Sequence, residues 1–114
     1  TILDSLVVNS DYAKENPDVV EAVEDAWYKA VDFLNENPDQ AYEEMASGFE
    51  EVTAEDVASD VKGLKFFGKE DNEKLNDESN DDSIYAISQK MADFWKEKGE
   101  CETDDLTDFF ELVK

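Results

Sequence analysis

A chain of 114 residues has room for one domain and one modest hydrophobic core. Its 32 Asp and Glu face 10 Lys, with no Arg and no His, and the formal charge of −22 excludes the basic patches that nucleic-acid binding or docking on an anionic membrane requires. The single cysteine, Cys101, excludes an internal disulfide, and without His or a second Cys a zinc or iron–sulfur site lacks its ligand set.

Disorder is not the expectation, because 40% of the residues are apolar and they recur periodically. No apolar run approaches the ~20 residues of a membrane-spanning helix. The acidity is best read as a solvated surface suited to a saline or alkaline habitat. A docking face for a basic partner and mimicry of nucleic acid are the two other readings of such a charge.

Leu6, Val7 and Val8 read as a short buried strand, bounded by Asp4-Ser5 before and Asn9-Ser10-Asp11 after. One strand cannot stand alone, since its backbone donors and acceptors need neighbouring strands. A partner sheet is therefore implied; without one the segment should pair with a second copy of the chain or lose strand geometry altogether. Tyr12 and Ala13 suit a short helical turn.

Asn16 then offers an N-cap, with Pro17 in the first helical position and Asp18 on the positive end of the helix dipole. The spacing of Val20, Val23, Trp27, Ala30, Val31 and Leu34 predicts a helix over residues 17–34. Glu36-Asn37-Pro38-Asp39 repeats the start signal Glu15-Asn16-Pro17-Asp18, so a second helix begins at Pro38 and ends at Gly48. The capping box Thr53-Ala54-Glu55-Asp56 opens a third, with Val57, Ala58 and Val61 inward and Gly63 as its stop.

Leu64 to Gly68 forms an apolar connector between glycines, whose two Phe rings should pack on the helices. Residues 71–75 can make one helical turn, and residues 76–82 read as an exposed acidic loop. Asp82 or Ser83 caps a fourth helix running through Lys98, with Ile84, Ile87, Met91, Phe94 and Trp95 on its inner side and Gly99 closing it. Thr103 opens a last short helix carrying Leu106, Phe109, Phe110 and Val113.

No catalytic constellation is present: there is no His, no Gly-rich phosphate loop and no activated nucleophile, so the chain is not read as an enzyme. No cofactor is implied. The acidic stretch 71–82 is the one segment with calcium-like chemistry, but it lacks the central Gly and the twelfth-position Glu of an EF-hand, and it reads as a solvated loop. No metal site is assigned. Trp27, Tyr28, Tyr42, Phe66, Phe67, Phe94 and Trp95 could line a ligand pocket, although aromatics at helical spacing are more often core. Asp4 is the sharper candidate, because a carboxylate at the start of a buried strand is costly unless it is paired or opens onto a cleft.

Residues 4–20, Asp-Ser-Leu-Val-Val-Asn-Ser-Asp-Tyr-Ala-Lys-Glu-Asn-Pro-Asp-Val-Val, resemble a segment of the periplasmic substrate-binding proteins of ABC importers. The subgroup is that of the taurine, sulfonate, nitrate and thiamine-precursor binders. There a strand Asp-x-x-Val-Val precedes a Phe/Tyr-Ala turn and a Pro-(Glu/Asp)-Val-Val helix start. Residues 30–39, with their Asn-Pro break, are similar to the next helix of that family. Residues 52–57 and 62–66 resemble its third helix and connector, and residues 83–99 its penultimate helix. The acidic stretch 69–82 and the segment Glu100-Cys101-Glu102-Thr103 depart from the pattern.

The resemblance spans nearly the whole chain and implies the C-terminal part of such a protein, residues 1–114 forming a single partial-lobe domain. The implied fold is mainly α: a bundle of about five helices after one short N-terminal strand, finishing a type II α/β lobe. It implies capture of a small-molecule solute between lobes and delivery to an ABC permease in the membrane, in a periplasmic or otherwise extracytoplasmic, cell-surface setting. It implies no direct membrane insertion. In amine-ligand members an acidic residue at the position of Asp4 helps to hold the ligand's ammonium, which makes Asp4 the ligand-binding candidate here. A free-standing acidic helical interaction or sensor module is the alternative, and pairing of the N-terminal strand between two copies would give a homodimer.

Overall fold

The structure is a computed structural model, which describes residues 2–100 and 102. Among these residues its regular structure is all helical, with six α-helices and one 3-10 turn: α1 (Ser10–Glu15), α2 (Pro17–Glu36), α3 (Pro38–Ser47), α4 (Ala54–Asp60), the 3-10 turn Val61–Gly63, α5 (Lys69–Leu75) and α6 (Ile84–Glu97). The helix expected after Thr103 lies outside the described residues. One compact unit is Val20–Lys69, and the described residues before and after it belong to a second.

The expected N-terminal strand is not formed, and no strand occurs among the described residues. The α/β lobe expected from it is therefore overturned, while the helical class remains. Residues 2–9 are irregular, and Leu6 and Val7 are 73% and 89% exposed. The reason is the one that made a lone strand suspect: with no neighbouring strand, hydration satisfies the backbone groups of this segment better than an unpaired extended ladder can. Asn9 competes as well. Its side-chain oxygen accepts the backbone N–H groups of Asp11 and Tyr12, both at 3.1 Å, which starts α1 one residue after the apolar run.

Both Asn-Pro joints adopt one backbone geometry. Asn16 has φ −134° and ψ 57°, and Asn37 has φ −134° and ψ 58°. Proline disfavours the helical region for the residue before it, so each asparagine interrupts the helix for a single residue and the next helix begins at once. The side chain of Asn16, expected to cap α2, turns backwards instead: its Nδ2 donates to the Tyr12 carbonyl at 3.0 Å and closes α1. Asn37 makes no capping bond with its side chain. The missing N–H of each proline leaves one orphan donor fewer to cap.

In the unit Val20–Lys69, α3 packs against α4. Ala41 and Ala46 of α3, Val57 of α4 and Val31 of α2 are buried. Small alanines on α3 let the facing helix approach closely, while Val31 and Val57 fill volume. Between α3 and α4 the left-handed backbone falls on Glu51 (φ 62°) and not on Gly48, which stays right-handed at φ −79°. Val61–Gly63 tightens the end of α4, and Leu64 leaves it extended.

In the second unit, α6 buries a different face from the one its apolar pattern suggests. Ala92 is buried, whereas Met91, Phe94 and Trp95 are 54%, 51% and 48% exposed. Ile84 and Ile87 are half-buried. The helix ends in a Schellman motif. Glu100 N–H donates to the Trp95 carbonyl at 3.0 Å, Gly99 N–H donates to the Lys96 carbonyl at 2.9 Å, and Gly99 takes φ 75°. Nothing crowds the space where a Cβ on Gly99 would sit, so the requirement for glycine is one of backbone conformation alone.

Candidate functional site

Asp4 stands exposed in the irregular residues 2–9. Its carboxylate keeps its hydration, so no buried charge demands a partner there. The strand geometry that would have aimed Asp4 into a cleft is not formed.

The expected aromatics fall into two groups. In the unit Val20–Lys69, the Trp27 indole N–H donates to the Phe67 carbonyl at 2.9 Å, and the Trp27 and Phe66 rings lie 6.3 Å apart at 51°. The Lys65 ammonium sits 4.7 Å from the Phe67 ring centroid. Gly68 comes close to Val31, whose Cγ1 would stand 4.0 Å from an added Cβ. The connector 64–68 is thus clamped along α2. Half-buried Phe66 and Phe67 serve this clamp, and Tyr28 and Tyr42 are half-buried on α2 and α3. On α6, Phe94 and Trp95 pack edge to face at 5.2 Å, and Lys98 lies 5.6 Å from the Phe94 ring. This pair remains half-open to solvent.

The clamp was not legible beforehand as a pair of named partners. One signal pointed to it: an indole N–H on an amphipathic helix needs an acceptor, and the glycine-bounded segment 64–68 brings non-helical backbone carbonyls.

The acidic stretch 71–82 is part helix and part self-bonded loop. Asn80 is its hub. The Asn80 Nδ2 donates to the Lys74 carbonyl at 2.9 Å, its N–H donates to the Asp77 carbonyl at 2.9 Å, and its side-chain oxygen accepts the Asp82 N–H at 3.1 Å. Asp77 accepts the Ser79 hydroxyl at 2.7 Å and the Ser79 N–H at 2.9 Å. These bonds, the hydroxyl first, hold its carboxyl below the usual aspartate range. Lys90 Nζ donates to the Asp81 carbonyl at 3.0 Å. The loop's polar groups are turned onto one another and onto its own backbone. Among the described residues no group of three or more carboxylates or thiols is placed to hold a metal ion.

Ser83 closes the loop and is fully buried. Its N–H donates to the Asn80 carbonyl at 2.9 Å, and its hydroxyl accepts the Ala86 N–H at 3.2 Å, which caps α6. Thr53 does the same for α4 in a complete capping box. Its hydroxyl donates to Asp56 Oδ2 at 2.6 Å, its N–H donates to the same oxygen at 2.9 Å, and it accepts the Asp56 N–H at 3.2 Å. The Thr53 hydroxyl, followed by its backbone N–H, holds the Asp56 carboxyl below the usual range.

No protein family, curated protein or solved structure matches this chain. Among the described residues no helix is long and apolar enough to cross a membrane.

Proposed function

We propose that this chain is the C-terminal part of a solute-binding protein serving an ABC importer. In that setting it would capture a small anionic or amine-bearing solute, of the sulfonate, taurine, nitrate or thiamine-precursor kind, outside the cytoplasmic membrane and pass it to the permease. One observation carries the reading. The stretches that resemble the family coincide with the boundaries of the helices: the Asn9 cap, the joints Asn16-Pro17 and Asn37-Pro38, the Thr53–Asp56 box, the turn at Gly63 and the Ser83 cap. The likeness extends beyond composition and apolar stripe to the order of the caps and breaks. The proposal stands on this order of capped helices and calls on no strand.

The exposed apolar run Leu6-Val7-Val8 supports the same reading, since such a run calls for cover by further protein. Asp4, just before it, is offered to a ligand's ammonium. The chemistry is recognition alone: ligand capture with hinge closure, and no covalent step.

Isothermal titration of the intact protein that carries these residues tests the proposal, with taurine, an alkanesulfonate, nitrate and a thiamine precursor as probes. Binding of one of them supports it. The Asp4→Asn variant is expected to bind an amine-bearing probe about tenfold more weakly, a loss of about 1.4 kcal/mol; unchanged affinity removes Asp4 from the site. The rival reading, an acidic helical interaction module, draws on the charge of −22. Failure of every probe, with capture of a basic protein that is lost at high salt, would establish that rival instead.

A further inference from the structure

We draw no further inference here: the strongest candidate, the exposed Met91, Phe94 and Trp95 patch near the C-terminal end of α6, is an unpartnered apolar face, and nothing in the structure shows what covers it.

Discussion

The unit Val20–Lys69 and the stretch from α5 to the end of α6 hold their helices by different means. The first buries apolar side chains from three helices, Val31, Ala41, Ala46 and Val57, and ties its connector to Trp27. The second buries Ala92 and a serine, and its order comes from hydrogen bonds between near neighbours: Ser79 to Asp77, Asn80 to Lys74, Ala86 to Ser83, Glu100 to Trp95. In the first unit one contact reaches across forty residues of sequence, from the Trp27 indole N–H to the Phe67 carbonyl. Capping and turn bonds act within a few residues. A net charge of −22 leaves few lysines to neutralise the surface, so a short acidic stretch is ordered most cheaply by bonding its own carboxylates and amides.

Breaking the apolar side of this contrast should have the largest effect. Val31→Ala is expected to destabilise by about 2 kcal/mol, from lost burial plus the cavity left behind. Hydrogen exchange should show the loss in residues 20–69, and equal loss in α6 would deny that the two regions are held separately. Ser83→Ala removes a buried cap and is expected to cost about 1–2 kcal/mol, because the Ala86 N–H then loses its acceptor at a part-buried helix start. Faster exchange at the start of α6, with α3 and α4 unchanged, is the reading that supports it.

Thr53→Ala is a cap of the same chemistry at an exposed site, and about 1 kcal/mol is expected from denaturant unfolding. It carries a pH signature. The folded Asp56 carboxyl titrates lower than in the unfolded chain, so its contribution is fully present above the usual aspartate value and is lost as the pH falls through that value and below. The wild-type protein should therefore lose more stability than Thr53→Ala on acidification below about pH 4. Parallel acid profiles would show that the capping box does not couple to folding. Smallest is Gly99→Ala, expected to cost about 1 kcal/mol or less by forcing an alanine to φ 75°, and visible as fraying of the last turn of α6 alone.

Helix starts were the most legible features. Pro17, Pro38, Thr53 and Ser83 mark them by chemistry that operates within four residues, and the structure begins α2, α3, α4 and α6 at or next to these positions. The glycine stops were legible in place but not in kind. Gly99 takes the left-handed conformation, whereas Gly48 does not, and Glu51 carries the positive φ of that turn. The side-chain role of Asn16 was read in the wrong direction, because one amide can cap the helix before it or the helix after it, and the residue order is identical for both. The strand over residues 6–8 failed for a further reason: β-structure is a relation between segments, and a run of Leu-Val-Val specifies a strand only where a partner edge exists. The orientation read for Asp4 was borrowed from that strand, and the residue stands exposed in an irregular segment instead.

The face that α6 buries was also beyond reach. Ile84, Ile87, Met91, Phe94 and Trp95 define an apolar stripe by spacing, yet Ala92 is the buried residue and the aromatic end of the stripe faces solvent. Periodicity reports that a helix has an apolar side; it does not report which neighbours arrive to cover it.

By itself the sequence determined the helical class, the Asn-Pro breaks, the starts of α2, α3, α4 and α6 and the caps at Thr53 and Ser83, because each follows from steric and hydrogen-bonding rules acting over a few bonds. Only the tertiary structure decided that the N-terminal run stays irregular, that the Trp27 indole locks the Phe67 carbonyl, and that α6 turns Ala92 inward. Those outcomes depend on which distant groups meet, and hence on the free energy of the whole packing and not on any local preference.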